Sequence, residues 1–323
     1  MGSRDRFAGQ VVVVVGATSG IGRATTLALA ERGADLVLAA RSRAPLDELV
    51  TRVEAQGARA LAVPTDVVDA DAVDRLADAA VATFGRIDGW VQAAAVMVAG
   101  DLASVPQAEL EHVVDVNVDG TMNAARSALR VFRDQGSGSL VLVSSLLGRF
   151  PNPLAPVYVA TKFAVRGLAL SLQQALRHER DIHVSVVMPG PVDTPMFARA
   201  ADRTGGRLRA IPPAQASARA AAMVLRTLRR PSRERTSGAG NRTAVLAHRV
   251  APRLTEELVG RWSAGLLVGP EPQRSGPGAV FAISDTGRVQ GGYRRGALRR
   301  RVGDAVGALL AGRGPGSTLD PLG

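Results

Sequence analysis

The sequence predicts an α/β fold: a doubly wound parallel sheet followed by a C-terminal helical and irregular extension. Three observations carry that expectation. Up to Pro189, short β-branched runs alternate with longer amphipathic segments, the pattern of βαβ units. The runs are almost continuously apolar, as strands covered by helices on both faces are. Beyond Pro189 the alternation degrades into chain rich in Pro, Gly and Arg.

The elements follow in order. Strands are expected in VVVVV (11–15), LVLAA (36–40), ALAV (60–63), residues 87–91, LVLV (140–143) and VSVV (184–187). Helices are expected over residues 21–32, 45–56, 70–84, 107–132 and 157–177. Residues 191–212 read as a loop covering a pocket and 213–228 as a helix, while residues 231–243 are too polar for a buried strand. Across 244–268 apolar residues recur at Leu246, Val250, Leu254, Leu258, Trp262 and Leu266, with Arg249, Arg253 and Arg261 between them and Pro252 starting a second helix. Such a stripe docks on its own domain or a sister subunit, or lays a basic face on a membrane. The organisation expected is a domain over 1–230 and a basic extension over 231–323, helical at 244–268 and partly disordered.

Composition narrows the chemistry. The chain has no cysteine and four histidines, which excludes disulfides, thiolate zinc and a thiol nucleophile; no metal is expected. Aromatic residues make up 3%, too few for a stacking surface on single-stranded nucleic acid. The formal charge of +11 is uneven: residues 1–200 carry a net −2 and residues 201–323 a net +13. One lysine stands among the 40 basic residues, so much of the arginine reflects a composition bias. Arg294, Arg295 and Arg299 to Arg301 read as a solvated stretch; a nucleic-acid partner is not expected, and peripheral membrane contact by the basic tail stays open. No apolar run approaches the roughly 20 residues that span a bilayer, and a cytoplasmic protein is expected.

After the first strand comes GATSGIG. Gly16, Thr18, Ser19, Gly20, Ile21 and Gly22 turn the chain tightly and open a helix, whose N-terminal amides and dipole suit a pyrophosphate. The second strand ends in Ala39, Ala40, Arg41, with no carboxylate for a ribose 2′-hydroxyl. Arg41 offers a fork to a 2′-phosphate, which favours NADP(H), with NAD(H) left open; a solvated arginine is the plain alternative. Asp66 can accept from an adenine amino group or cap the next helix.

Tyr158 and Lys162, four residues apart on a helix, share one face. An ammonium beside a phenol stabilises the phenolate and makes tyrosine a usable acid or base. Ser145, just past the fifth strand, is placed to hold a substrate oxygen, and the Asn117 amide to anchor a water leading from Lys162 to solvent.

In order and spacing, the Gly16, Gly20, Gly22 turn, Asn117 in DVNVDG, Ser145 in VSSLLG, YVATK from Tyr158 to Lys162, and PGPVDTP from Pro189 resemble the short-chain dehydrogenase/reductase (SDR) family over roughly residues 8–230. The resemblance implies a Rossmann-type sheet and hydride transfer between NAD(P) and a carbonyl or alcohol. Tyr158 would be the acid/base, Ser145 would position the oxygen, Lys162 would also contact the nicotinamide ribose, and Asn117 would complete a proton relay. Val67 and Ala93 fall on the adenosine side, and Pro189, Gly190, Val192 and Thr194 beside the nicotinamide, Thr194 on its carboxamide. It implies homo-oligomers, a dimer or tetramer, built on the helices that start near Gln107 and Val157. Two departures stand out: Gln92, Ala93, Ala94, Ala95 replace the family's NNAG, and ERTSGAGNR is too polar for its usual last strand.

An apolar pocket is expected, bordered by Met97, Leu146, Leu147, Met188, Met196 and Phe197. The function read from the sequence is an NADP(H)-dependent oxidoreductase acting on a small-molecule carbonyl or secondary alcohol. The other reading is a catalytically silent NADP(H)-binding sensor or scaffold, prompted by the QAAA stretch and the long tail.

Overall fold

The computed structural model describes residues 7–282 and 287–293. In chain order its elements are β1 (Val11–Val15), α1 (Gly20–Ala30), β2 (Asp35–Ala40), α2 (Arg43–Glu54), β3 (Ala60–Pro64), α3 (Ala70–Phe84), β4 (Gly89–Gln92) and β5 (Val98–Ala99). Then come α4 (Gln107–Val114), α5 (Gly120–Gln135), β6 (Gly138–Val143), α6 (Pro156–Ala175), β7 (Ile182–Met188), β8 (Val192–Asp193), α7 (Met196–Arg199), β9 (Ala201–Asp202) and β10 (Gly206–Leu208). The chain continues through β11 (Gln215–Ala216), α8 (Ser217–Arg229), β12 (Glu234–Thr236), α9 (Ala239–Val250), α10 (Pro252–Leu267) and β13 (Val268–Pro272).

Seven strands form a parallel sheet in the order β12-β7-β6-β4-β1-β2-β3. The chain grows from β1 out to β3 and then returns to β4 on the other side of β1. That reversal opens a crevice at the carboxyl ends of β1 and β4, where ligands of such sheets bind. All five valines of β1 are buried, alternate ones facing two separate cores. β-branched side chains suit a strand covered on both faces. Local chemistry sets several element ends: Asp69 caps α3 by accepting from the Ala72 amide at 3.0 Å, and Gly85 ends it with a left-handed φ of 80°.

The expected single helix over 107–132 is two helices joined by a π-helical turn, Asp115–Asp119, with Asn117 at its centre. The polar segment after α8 does form the seventh strand: Glu234, Arg235 and Thr236 pair with Val186, Val187 and Met188. An edge strand has one neighbour and needs no apolar run, and the Glu234 carboxylate is held by Arg149 and Arg166. The sheet therefore reaches Thr236, past the expected boundary at 230.

The extension packs on the domain through one face only. Leu266 and Leu267 join a cluster with Met97, Tyr158, Leu208 and Ile211, whereas Leu246, Val250, Leu254 and Leu258 are 59–80% exposed. Within one chain, then, the stripe docks on its own domain only at its Leu266 end, and its exposed part faces away from the domain. The Trp262 side chain, the arginines from Arg294 onward and most of the tail lie outside the described residues. Among the described residues no helix is long and apolar enough to cross a membrane, and no cluster of metal-ligating side chains occurs.

Candidate active site

The crevice is a cavity of about 370 Å³. It is lined by Gly16, Thr18, Ser19, Gly20 and Ile21 from the first turn, Arg41, Asp66, Val67 and Ala93 from the next strand ends, Ser145, Tyr158 and Lys162, and Pro189, Gly190, Val192 and Thr194. Of the catalytic and cofactor-binding residues expected from the sequence, Gly22 and Asn117 are not in this lining.

The glycine turn is built for a close approach. Gly16 has φ +79°, and a Cβ there would stand 2.7 Å from the Ala94 amide nitrogen. A Cβ at Gly22 would overlap the Gly16 carbonyl oxygen. Ser19 caps α1 in extended backbone with no hydrogen bond from its side chain, and no acidic residue sits in the first turn. The Ser19 hydroxyl and the positive end of α1, whose Gly20 amide meets a backbone carbonyl and no charged group, suit a phosphate, so these residues fit a dinucleotide. Beneath them Arg23 is buried and donates to both oxygens of Glu48 at 2.6 and 2.9 Å.

Further along the crevice the side chains are more engaged than the sequence suggests. Arg41 donates to the carbonyls of Phe281 and Ala282, at 3.3 and 2.8 Å. Asp66 accepts from the Val68 amide at 3.1 Å, so the helix-capping alternative passes to Asp69. Gln92 is buried, and its amide nitrogen and oxygen have no partner among the described residues. Gln92 takes the first position of the altered QAAA stretch, and a buried amide without partners is costly.

Deeper along the lining, Ser145 accepts from the Leu147 amide at 3.1 Å and stands with Tyr158 on the cavity wall. Leu147 belongs to a short 3-10 turn that Ser145 caps. That fixed amide leaves the hydroxyl proton to point elsewhere, and Tyr158 is its neighbour. Lys162 donates to the Val143 carbonyl at 3.2 Å and lies 5.4 Å from the centre of the Tyr158 ring. Both are buried. Burial pushes the Tyr158 hydroxyl well above its usual value, the Ser145 hydrogen bond opposing it, and pulls Lys162 down to about 8. Desolvation is the largest influence on both groups in this state.

Asn117 braces the elements around the site. Its amide donates to the Val96 carbonyl at 2.9 Å and to Thr161 Oγ1 at 3.0 Å, and accepts from the Val96 amide at 2.9 Å. Both amide protons are used, so it does not anchor a water through them; it ties the loop after β4 to α6. Thr161 precedes Lys162, which makes Asn117 a support for the lysine's helix.

The sequence reading missed Ser144, whose buried hydroxyl donates to the Lys162 carbonyl at 2.8 Å and pins the β6 end to α6. It also missed Asn241, Ala244, Val259 and Leu267 of the extension, together with Ala279 and Val280, all of which line the cavity. No local motif marks them. Of the expected apolar border, Met97, Leu146, Leu147, Met196 and Phe197 are in place. Met188 is not: it points into the core on the α6 face of the sheet.

Comparison with known proteins agrees with this geometry. A short chain dehydrogenase family model matches residues 10–204. The chain is 33% identical over 256 residues to the uncharacterized oxidoreductase YxnA of Bacillus subtilis, covering 77% of this chain and 71% of that one. A short chain dehydrogenase from Mycobacterium paratuberculosis bound to NAD superposes with TM-score 0.64 at 25% identity, over 74% of this chain and 99% of that one. Levodione reductase superposes with TM-score 0.65 at 26% identity, over 74% and 100%. With the ordered turn, the Ser145, Tyr158 and Lys162 cluster, and the strand order all in place, the chain belongs to the short chain dehydrogenase family of oxidoreductases.

Proposed function

We propose that the chain is an NADP(H)-dependent oxidoreductase that interconverts a carbonyl and a secondary alcohol on an apolar small molecule. The observation that carries this reading is the meeting of Ser145, Tyr158 and Lys162 on the wall of one largely apolar cavity, with Lys162 beside the tyrosine ring. A substrate oxygen seated between the two hydroxyls would accept from both. A bound nicotinamide supplies or takes the hydride.

The protein's own part is proton handling and placement. Ser145, held by the Leu147 amide, orients the substrate oxygen. Tyr158, neutral at rest because it is buried, donates its proton as charge grows on that oxygen, or receives it in the reverse direction. The phenolate left behind is met by the Lys162 ammonium, so the pairing that is weak at rest strengthens when charge appears. Asn117 and Ser144 support the lysine and its helix.

NADP(H) is favoured over NAD(H) because β2 ends without a carboxylate and Arg41 stands at its end. Met97, Leu147, Met196 and Phe197 favour an apolar substrate. Exposed Val114, Met122 and Phe163 on α4, α5 and α6 favour a homo-oligomer through those helices. Tyr158→Phe tests the mechanism: NADPH binding should persist while turnover across a panel of ketones, aldehydes and alcohols is lost. Turnover that survives the substitution overturns it. Wild-type protein that binds NADPH yet turns over nothing in a broad panel favours a sensor instead.

A further inference from the structure

The C-terminal chain crosses the crevice and offers its carbonyl oxygens to the groups that would receive phosphates. Arg41 donates to Ala282 and Phe281. Gly20, the first residue of α1, donates its amide to the Arg288 carbonyl at 3.0 Å. Gly287 lies against the Arg23 guanidinium, whose buried Nη1 has no hydrogen-bond partner among the described residues. The same stretch is anchored on the far wall. Ser217 Oγ donates to the Val289 carbonyl at 2.8 Å, the Tyr293 amide donates to Asp193 at 3.0 Å, and the Tyr293 ring meets Phe197 in a T-shaped contact at 5.8 Å.

A helix N-terminal amide and a guanidinium are anion receptors. A peptide carbonyl satisfies them with a partial charge, and a phosphate oxygen satisfies them better. We propose that residues 281–282 and 287–293 form an internal competitor for the phosphates of NADP(H), displaced when the cofactor binds. The proposal rests on the NADP(H) reading above. Strap and cofactor use the same donors, so the apparent dissociation constant of the cofactor rises by the inverse of the open fraction. Because the strap occupies the Arg41 guanidinium directly, it opposes a 2′-phosphate more than the rest of the dinucleotide.

Gly291→Ala in the full chain tests this. A Cβ at Gly291 would overlap the Thr194 carbonyl oxygen and the Tyr293 ring, so the strap no longer fits in its docked position. NADPH and NADH are titrated calorimetrically into wild type and variant. The variant should bind NADPH about tenfold more tightly, as for a strap docked in roughly nine molecules of ten, and gain less for NADH. In wild type, saturating NADP+ should speed tryptic cleavage after Arg288, read by fragment mass. Unchanged or weaker NADPH binding by the variant, or protection of Arg288 by NADP+, overturns the proposal. A wild type that binds neither nucleotide overturns the cofactor reading instead. Should the variant not fold, cleavage of the wild type decides alone.

Discussion

Lys162 holds its ammonium 5.4 Å from the centre of the Tyr158 ring, one helical turn away, and both side chains are buried. Their titrations leave separate traces in stability. Lys162 falls from 10.5 unfolded to about 8 folded. Below pH 8 both states carry the proton, and the folded protein bears the whole cost of burying the charge. Between pH 8 and 10.5 the unfolded chain binds the extra proton, so stability rises with pH. Tyr158 shifts the other way, and its effect begins only above pH 10, where the unfolded phenol ionises. Urea unfolding of the cofactor-free protein should therefore show a gain of about 2 kcal/mol from pH 8 to pH 9.5. Lys162→Met should abolish that rise; a rise that persists removes Lys162 as its source.

The lysine is also the single one in a chain that otherwise uses arginine. A guanidinium is planar, larger and effectively never neutral, and this site is closed around an ammonium. Lys162→Arg should lower kcat by at least about a hundredfold, the low end for a disrupted acid–base pair. Near-normal kcat would make the lone lysine an accident of composition.

Gly22 stands behind the phosphate turn rather than in it. A Cβ there drives the Gly16 carbonyl outward, and with it the backbone that meets the Ala93–Ala94 segment. Gly22→Ala should weaken NADPH binding and cost about 2 kcal/mol in unfolding free energy, as overpacking does. Unaltered NADPH affinity would show that the turn has slack.

Glu234 gathers Arg149 and Arg166 onto the edge strand, with all three side chains at most a quarter exposed. Glu234→Gln leaves two guanidiniums facing each other without their anion. Stability should fall by about 2 kcal/mol, less than for a fully buried pair because some solvent reaches the cluster. A thermal midpoint within 1 °C of wild type, roughly 0.7 kcal/mol for a chain of this size, would contradict it.

The same residue shows where sequence reading stopped. The other six strands were legible because each writes itself as a local apolar run, most of them by burial on both faces, and the glycine turn and Tyr158–Lys162 pair because their spacing is local too. β12 was not, since its stability comes from one neighbouring strand and from arginines 85 and 68 residues away in sequence. Asn117 was identified but its contacts were not: the π-helical turn that aims it at Val96 and Thr161 has no spacing signature. The strap over Gly20 and Arg41 uses backbone carbonyls, which every residue possesses, so no side-chain pattern announces it.

Phe163 follows Lys162 directly yet points outward, 41% exposed, with Met122 of α5 at 43%. Large apolar side chains exposed on the surfaces of adjacent long helices are what a subunit contact would cover. α6 would then carry Tyr158 and Lys162 on its inner side and an interface on its outer side, so assembly would stiffen the helix that positions the chemistry. Phe163→Glu places a charge in that contact. Wild type should sediment as a dimer or larger, and the variant should shift towards monomer at low micromolar concentration. NADPH titration checks that the variant remains folded. Unchanged sedimentation would move the contact away from α6, and a wild type that is monomeric throughout would remove it.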